Sequence, residues 1–290
     1  MTLEIAPRRF RSIRLRKLKS DVLLGMLWLA GLIAVVPLLL IVGYVLAKGV
    51  PAINAAFFTE TAPPPAVPGG GMAQAFVGTG MIVGIATLIS VPLGVLTAIY
   101  LSEFGRGRLA AGVRFVAEIL LSTPSIVAGA FIWALVVVAM HSFSALAGAI
   151  ALTVLMWPII TRATEETLRL VPTELREGAL ALGSPRWKMV LRIVLPTAGS
   201  GILTAVMLAV ARGFGETAPI LLTSLGNDFM NADPLQPTDA VPLRVYNYAQ
   251  SAFPQWQTLA WGGAITLLAA VLVLSIGARI LSDRQRRRLG

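Results

Sequence analysis

Between Glu118 and Arg162 the chain runs for 43 residues without a lysine, arginine, aspartate or glutamate. As a single α-helix this run would be about 65 Å long at 1.5 Å per residue. That is roughly twice the hydrocarbon core of a bilayer, which is about 30 Å thick. The run therefore has to fold back, and Met140 to Ser144 is the expected turn. It yields one span from about Arg114 to Ala139 and another from about Ala145 to Thr161. Composition agrees: 56% of the residues are hydrophobic and only 13% are charged, against roughly 25% charged in a soluble domain. Most of the surface of such a chain faces something other than water.

Other runs of the same kind complete the set. Val22 to Ala47, bracketed by Asp21 and Lys48, is one span. Thr61 to Ser102 is uncharged, but Pro63-Pro64-Pro65 and Gly69-Gly70-Gly71 break its first part. Its span is expected from about Ala75 to Leu101, with a kink at Pro92. A fifth run lies between Arg192 and Arg212 and continues to about Thr223. A sixth starts near Gln255 within Val245 to Ala278. The reading is an all-α membrane protein of six transmembrane helices. It divides into a basic arm (1–21), a first anchor (22–47), a Pro/Gly-rich outer loop (48–71), a main membrane domain (72–281) and a basic tail (282–290). The first apolar run lacks a small-residue cleavage site and reads as a retained anchor.

The formal net charge is +10, and its placement separates two explanations. Seven basic residues lie from Arg8 to Lys19, and Arg284, Arg286, Arg287 and Arg288 lie in the tail. Basic segments beside apolar spans are topology signals, so a nucleic-acid partner is not expected. With both termini in the cytoplasm, the outer loops hold only Lys48 and Arg244 of the 24 basic residues. The outer loops are weakly acidic, with Glu60, Asp228, Asp233 and Asp239. Tyr246, Trp256 and Trp261 are expected in an outer aromatic belt. The chain has no cysteine and one histidine, His141, in the short outer turn. No metal site is expected.

Residues 162–196 form the longest charged stretch on the inner side. Glu165, Glu166, Arg169, Glu174, Arg176 and Glu177 make a polar set, and Leu168, Leu175, Ala179, Leu180 and Leu182 an apolar one. Pro172 interrupts a first helix. Thr173 is expected to cap the next, which runs to about Leu182. Gly183 is expected to end it with a positive φ. Ser184-Pro185 then starts another, as N-cap and first-turn proline. The bland alternative is an amphipathic linker lying on the membrane face. The spacing favours more: Glu177-Gly178-Ala179, then Gly183, then nine residues, then Ile193 and Leu195-Pro196. This resembles the EAA loop of ABC importer permeases, with Gly178 standing in place of the first alanine. The resemblance implies a MetI-like permease fold and cytoplasmic coupling helices between spans four and five. It also implies a lever gripped by a separate ATP-binding subunit. The chain has no Gly-rich run ending in Gly-Lys-Ser/Thr, so ATP and Mg are expected on that partner and no cofactor on this chain.

Arg212 and Glu216 lie inside the fifth apolar run, flanked by Gly213 and Gly215. Charges at depth are costly unless paired or hydrated, and an i, i+4 spacing places the two on one helix face. One reading is a pair that only fixes packing. The other is a pathway site where Arg212 attracts an anion and Glu216 positions or gates it, since the arginine fork matches phosphate oxygens. Ser122, Thr123 and Ser125 around Pro124 are further pathway candidates at a broken helix, or simply polar groups at a proline kink.

The stretch Ala211-Arg212-Gly213-Phe214-Gly215-Glu216-Thr217-Ala218-Pro219 resembles the span-five signature of the PstA family of phosphate-importer permeases. Ser122 to Gly129 and Gly78-Thr79 resemble that family too, and the likeness covers about 72–281. It implies a bacterial inner-membrane permease subunit that imports inorganic phosphate. Its implied partners are a PstC-like second permease, a dimer of PstB-like ATP-binding subunits and a PstS-like periplasmic phosphate-binding protein. The alternatives are a permease for another oxyanion such as molybdate or sulfate, the PstC-type partner itself, or a non-transporting membrane scaffold or sensor.

Overall fold

The computed structural model describes residues 11–289, with side chains from 15 to 283. Most of the basic arm and most of the basic tail, including the four tail arginines, thus lie outside the described side chains. The chain separates into two units, 1–47 and 48–290.

The first unit is essentially one helix, α1, Arg11–Gly49, which runs through Pro37. Its large apolar side chains are exposed all round, from Leu15 at 56% to Leu39 at 63%. A helix apolar on every face is suited to lipid or to another membrane helix rather than to water.

The second unit begins with a 3-10 turn, Val50–Ala52, and α2, Ala55–Thr59, whose N-cap Asn54 accepts from the Phe57 N–H. Then come α3, Ala73–Ile99, and a π turn, Tyr100–Phe104. Helices α4, Gly107–Ser122, and α5, Ser125–Ile132, follow, and α5 continues through a π segment into α6, Val138–Met140. Next is α7, Ala145–Arg169, capped by Ser144, whose side chain accepts from the Ala147 N–H. Two short helices, α8, Thr173–Ala181, and α9, Arg186–Met189, lead through a π segment, Val190–Val194, into α10, Leu195–Gly215. The π segment sits just before Pro196, which offers no N–H to the Arg192 carbonyl. The chain closes with α11, Ala218–Thr223, α12, Val241–Ala249, and α13, Pro254–Leu289.

Among the described residues, five helices are long and apolar enough to cross a membrane, and the bent pair Gly107–Ser122 and Ser125–Met140 makes a sixth if taken together. Six spans are therefore present in a modified form. The third, expected from about Arg114 to Ala139 with Pro124 inside it, runs from Gly107 to Met140 and is bent by 109° at Thr123–Pro124. Proline disfavours helical geometry in the residue before it, and ahead of Pro124 Thr123 is extended at φ −74°, ψ 131°. The fifth does not continue to Thr223 as one helix. It breaks at Glu216–Thr217, ahead of Pro219. Pro92, by contrast, sits within an uninterrupted α3.

The centre of the second unit is α7, packed against α3, α10, α4 and α11. Ile82, Val83, Ala86, Leu152, Met156, Ile160, Ala209 and Ile220 form its buried core. Alanine and glycine let these helices approach closely, as packing in lipid requires. A Cβ on Gly94 would stand 2.7 Å from the Ile160 side chain, for example.

Candidate functional site

The two helix breaks bring the two membrane-embedded motifs together. Helix α5 packs on α11, and the contact is backbone-close: a Cβ on Gly129 would lie 2.6 Å from Pro219 Cα. The stretch Ser122 to Gly129 thus meets the stretch Gly215 to Pro219, though more than eighty residues separate them in sequence.

At the first break, the carbonyls left over at the end of α4 are satisfied locally. Thr123 Oγ1 donates to the Ile119 carbonyl at 2.7 Å, and Ser122 Oγ to the Ile119 and Glu118 carbonyls at 2.9 and 3.1 Å. These hydroxyls stabilise a broken helix end; among the described residues neither hydrogen-bonds Arg212 or Glu216. Ser125 opens α5 and is half-buried.

At the second break, Arg212 lies in the last turn of α10, about 25 Å along the helix from Leu195. Its Nε donates to Glu216 Oε1 at 3.2 Å, so the expected i, i+4 pair forms. Glu216 has already left the helix, at φ −74°, ψ 124°. The glutamate side chain is 14% exposed and the arginine 53%. About half of the arginine side chain is thus left uncovered by this chain.

The charged loop at 162–196 forms the two short helices expected of it, and Gly183 between them has φ +78°. Both caps shift by one residue. Pro172 and Pro185, already extended, are the N-caps, and Thr173 and Arg186 are the first helical residues, so neither Thr173 nor Ser184 caps by its side chain. Ala179 and Val194 are buried, with Ile193 and Leu195 packed against the same cluster, while Pro196 is exposed. Glu177, Gly178 and Gly183 are exposed, as are Leu175, Leu180, Leu182 at 90% and Trp187 at 57%. The loop thus carries a bare apolar surface around the Glu177-Gly178-Ala179 motif. The polar set is not uniformly solvated. Glu165 is buried, with Arg114 and Arg169 donating to its Oε1 at 2.8 and 2.6 Å. Arg176 turns inward to Glu103.

The largest departure from the sequence reading is in the segment that leads into α12. Arg244 counts there only as one of two outer basic residues. In the structure it is buried in a polar cluster. Its Nε donates to Asp239 Oδ2 and its Nη1 to Asp228 Oδ1, each at 2.5 Å, and its Nη2 to the Asn227 carbonyl at 3.0 Å. Gln74 of α3 donates to the same Asp239 oxygen at 3.3 Å, and Thr79 of α3 accepts from the Val241 N–H at 2.8 Å. The cluster ties α12 and the loop before it to α3. Burial pushes the Asp239 carboxyl up to about 6, against the pull of Arg244 in the opposite direction. The aromatic belt is also partly internal. Trp256 stacks on Tyr248 at 4.8 Å and donates to the Pro63 carbonyl at 3.2 Å. His141 is exposed in the turn, with φ +51°.

Residues 90–288 match the family described as binding-protein-dependent transport system inner membrane component. The chain is 47% identical over 240 residues to the phosphate transport system permease protein PstA of Yersinia pestis, covering 82% of this chain and 81% of that one. It is 42% identical over 272 residues to the protein of the same name from Haemophilus influenzae, covering 93% and 96%. Among solved structures, a bacterial alginate ABC transporter chain superposes with a TM-score of 0.68 at 15% identity, covering 93% of this chain and 96% of that one. A chain of the MetNI methionine ABC transporter, in an inward-facing conformation, gives 0.55 at 19% identity, covering 73% and 93%. The structural likenesses establish a shared permease fold. With the match to the family model and the sequence relatives, they place the chain among the binding-protein-dependent transport system inner membrane components and, within them, in the PstA family of permeases.

Proposed function

We propose that this chain is one of two permease subunits of an ATP-driven importer of inorganic phosphate, and that it forms half of the translocation pathway. One observation carries the reading. Arg212 is a guanidinium at the break of a span, with a single carboxylate contact and half its side chain uncovered. A charge facing lipid at that depth costs several kcal/mol. The uncovered face therefore belongs against a second permease or a water-filled path. There Arg212 attracts the phosphate and Glu216 positions or gates it. The break residues Ser122, Thr123 and Ser125 lend polar backbone and hydroxyl groups to the same region. The relatives named as phosphate permeases supply the substrate.

On this reading Glu177, Gly178, Ala179 and Gly183 dock in the ATP-binding subunit. Ile193, Leu195 and Pro196 then continue the lever into α10. The exposed leucines and Trp187 around the motif support this, because a bare apolar patch needs a protein partner. ATP and Mg belong to that subunit, and this chain holds no cofactor. The complete importer has a PstC-like permease, two PstB-like ATP-binding subunits and a PstS-like binding protein. Both termini are cytoplasmic in the inner membrane, so the loop at 173–189 faces the ATPase.

The test is reconstitution of the co-expressed complex in liposomes, with phosphate uptake and ATP hydrolysis measured together. Uptake of labelled phosphate that excess molybdate and sulfate fail to reduce is the expected result. Uptake that either ion displaces at equal concentration would assign the pathway to another oxyanion. Glu177→Arg should release the ATP-binding subunit while the chain stays inserted; normal ATP-driven uptake in that variant would remove the docking assignment.

A further inference from the structure

The docking loop has a second attachment to the membrane domain, made by side chains. Arg176 lies on α8 next to Glu177, but it points the other way and is only 17% exposed. Its Nη2 donates to the Leu168 carbonyl at 2.7 Å and to Glu103 Oε1 at 2.9 Å, and its Nη1 donates to the Val171 carbonyl. The Leu168 carbonyl lies in the last turn of α7 and also accepts from the Val171 N–H at 3.3 Å, and Val171 follows the end of that helix. Glu103 belongs to the π turn that closes α3 and is 7% exposed. One planar fork therefore joins α8, the inner end of α7 and the corner between α3 and α4. A second arginine braces the same corner from the other side: Arg114 of α4 donates to the Leu101 carbonyl at 2.7 Å and to the buried Glu165 of α7 at 2.8 Å.

We infer that the Glu103–Arg176 pair is a mechanical joint through which the coupling helix drives the α4 limb of the pathway as well as the α10 limb. The inference rests on the reading of α8 as the part the ATPase moves. The covalent route from α8 runs through α9 and the π segment into α10, and ends at the Arg212–Glu216 break. The joint supplies a separate route. It passes from Arg176 to Glu103, around the corner at Gly105, and along α4 to the break at Thr123–Pro124. The two routes reconverge where α5 packs on α11, with Gly129 against Pro219. A push on α8 that reached only α10 would shear that contact, because α5 would stay behind. A push shared through the joint moves both broken helices together. Arginine suits the task because its donors lie in one rigid plane and reach three acceptors at once; lysine has a single nitrogen and no such plane.

The test uses the reconstituted complete importer and reads labelled phosphate transported per ATP hydrolysed, alongside retention of the ATP-binding subunit on purification. Glu103→Gln and Arg176→Gln should each retain that subunit and hydrolyse ATP within about twofold of wild type. Transport per ATP should fall about tenfold in each. The double variant should be no worse than either single one, as expected of residues acting as one unit. An unchanged ratio in Glu103→Gln would overturn the inference, as would losses that multiply in the double variant. If Arg176→Gln sheds the ATP-binding subunit, Glu103→Gln decides, since it leaves Arg176 on the Leu168 and Val171 carbonyls. Loss of assembly in Glu103→Gln as well would assign the pair a purely structural role and overturn the joint. Failure of the docking reading itself is distinct: Glu177→Arg would then transport normally.

Discussion

Two arginines of this protein, Arg244 and Arg212, are paired with carboxylates and are built differently. Arg244 is 8% exposed at its side chain and makes three polar contacts, to Asp239, Asp228 and the Asn227 carbonyl. It also lies 5.1 Å from the Tyr248 ring centroid. Arg212 is 53% exposed and bonds Glu216 through Nε alone, at 3.2 Å. A guanidinium has five N–H donors. At Arg244 most of that capacity is taken up inside the chain, and the arginine works as a clasp between α12, the preceding loop and α3. At Arg212 the one side-chain hydrogen bond among the described residues uses Nε, and about half of the side chain is left uncovered. The same residue type thus marks architecture where its donors are consumed internally and a binding surface where they are left over.

The sharpest way to break this contrast is to remove each arginine in turn. Arg244→Met leaves Asp239 buried without its counter-charge, and breaking such a pair costs about 3–5 kcal/mol. The variant should unfold at markedly lower temperature in detergent and accumulate poorly in membranes. Wild-type thermal stability in Arg244→Met would undo the clasp. Arg212→Gln should behave oppositely, with a melting temperature close to wild type and phosphate uptake down at least tenfold. A tenfold loss corresponds to about 1.4 kcal/mol. An Arg212→Gln chain that fails to assemble would make that pair architectural too.

How much of this was legible in the sequence follows the same division. The spans and the loop motif were readable because they rest on local rules: apolar run length, proline and glycine punctuation, and fixed spacing from Glu177 to Pro196. The Arg212–Glu216 pair was readable because four residues bring the two onto one helix face. The Arg244 cluster was not, since Gln74, Thr79, Asp228 and Asp239 reach it from α3 and an irregular loop, and no periodicity links them. The inward turn of Arg176 was hidden for the same reason. On the helix it belongs with the polar set, and its direction follows from Glu103, 73 residues away, together with the Leu168 and Val171 carbonyls. The bends were half legible. Pro124 announced a break, but its 109° angle depends on how α5 seats against α11.

Acidity offers a finer test of the clasp. Asp239 has a raised carboxyl pKa, up to about 6 from 3.8, mainly through burial, with Arg244 pulling it down. The folded state therefore holds this proton more tightly than the unfolded chain does. The resulting stabilisation is complete below about pH 4 and is lost as pH rises toward 6. Removing Arg244 removes the downward pull, so the window moves to higher pH. The stability deficit of Arg244→Met should shrink by at least about 1 kcal/mol on going from pH 8 to pH 5, the size of roughly one pKa unit. Melting curves across that range measure it. Asp239→Asn in the same background should flatten the dependence; a deficit independent of pH would show that the buried carboxylate is not what Arg244 neutralises.

The smallest expected effect comes from the third partner of Arg244. Asp228 bonds Nη1 at 2.5 Å but is 67% exposed, whereas Asp239 is fully buried. An exposed carboxylate is well solvated without its partner, and exposed ion pairs contribute only about 0–1 kcal/mol. Asp228→Asn keeps the shape and an acceptor oxygen and removes only the charge. Its melting temperature should differ from wild type by no more than a degree or two, and uptake should be unchanged. The contrast with Arg244→Met then separates two explanations of the clasp. If burial of Asp239 is what matters, the two variants differ several-fold in their effect. If the number of carboxylates around Arg244 is what matters, Asp228→Asn should cost about as much as losing half the cluster, and the distinction between a consumed and an available arginine would have to rest on charge count rather than on burial.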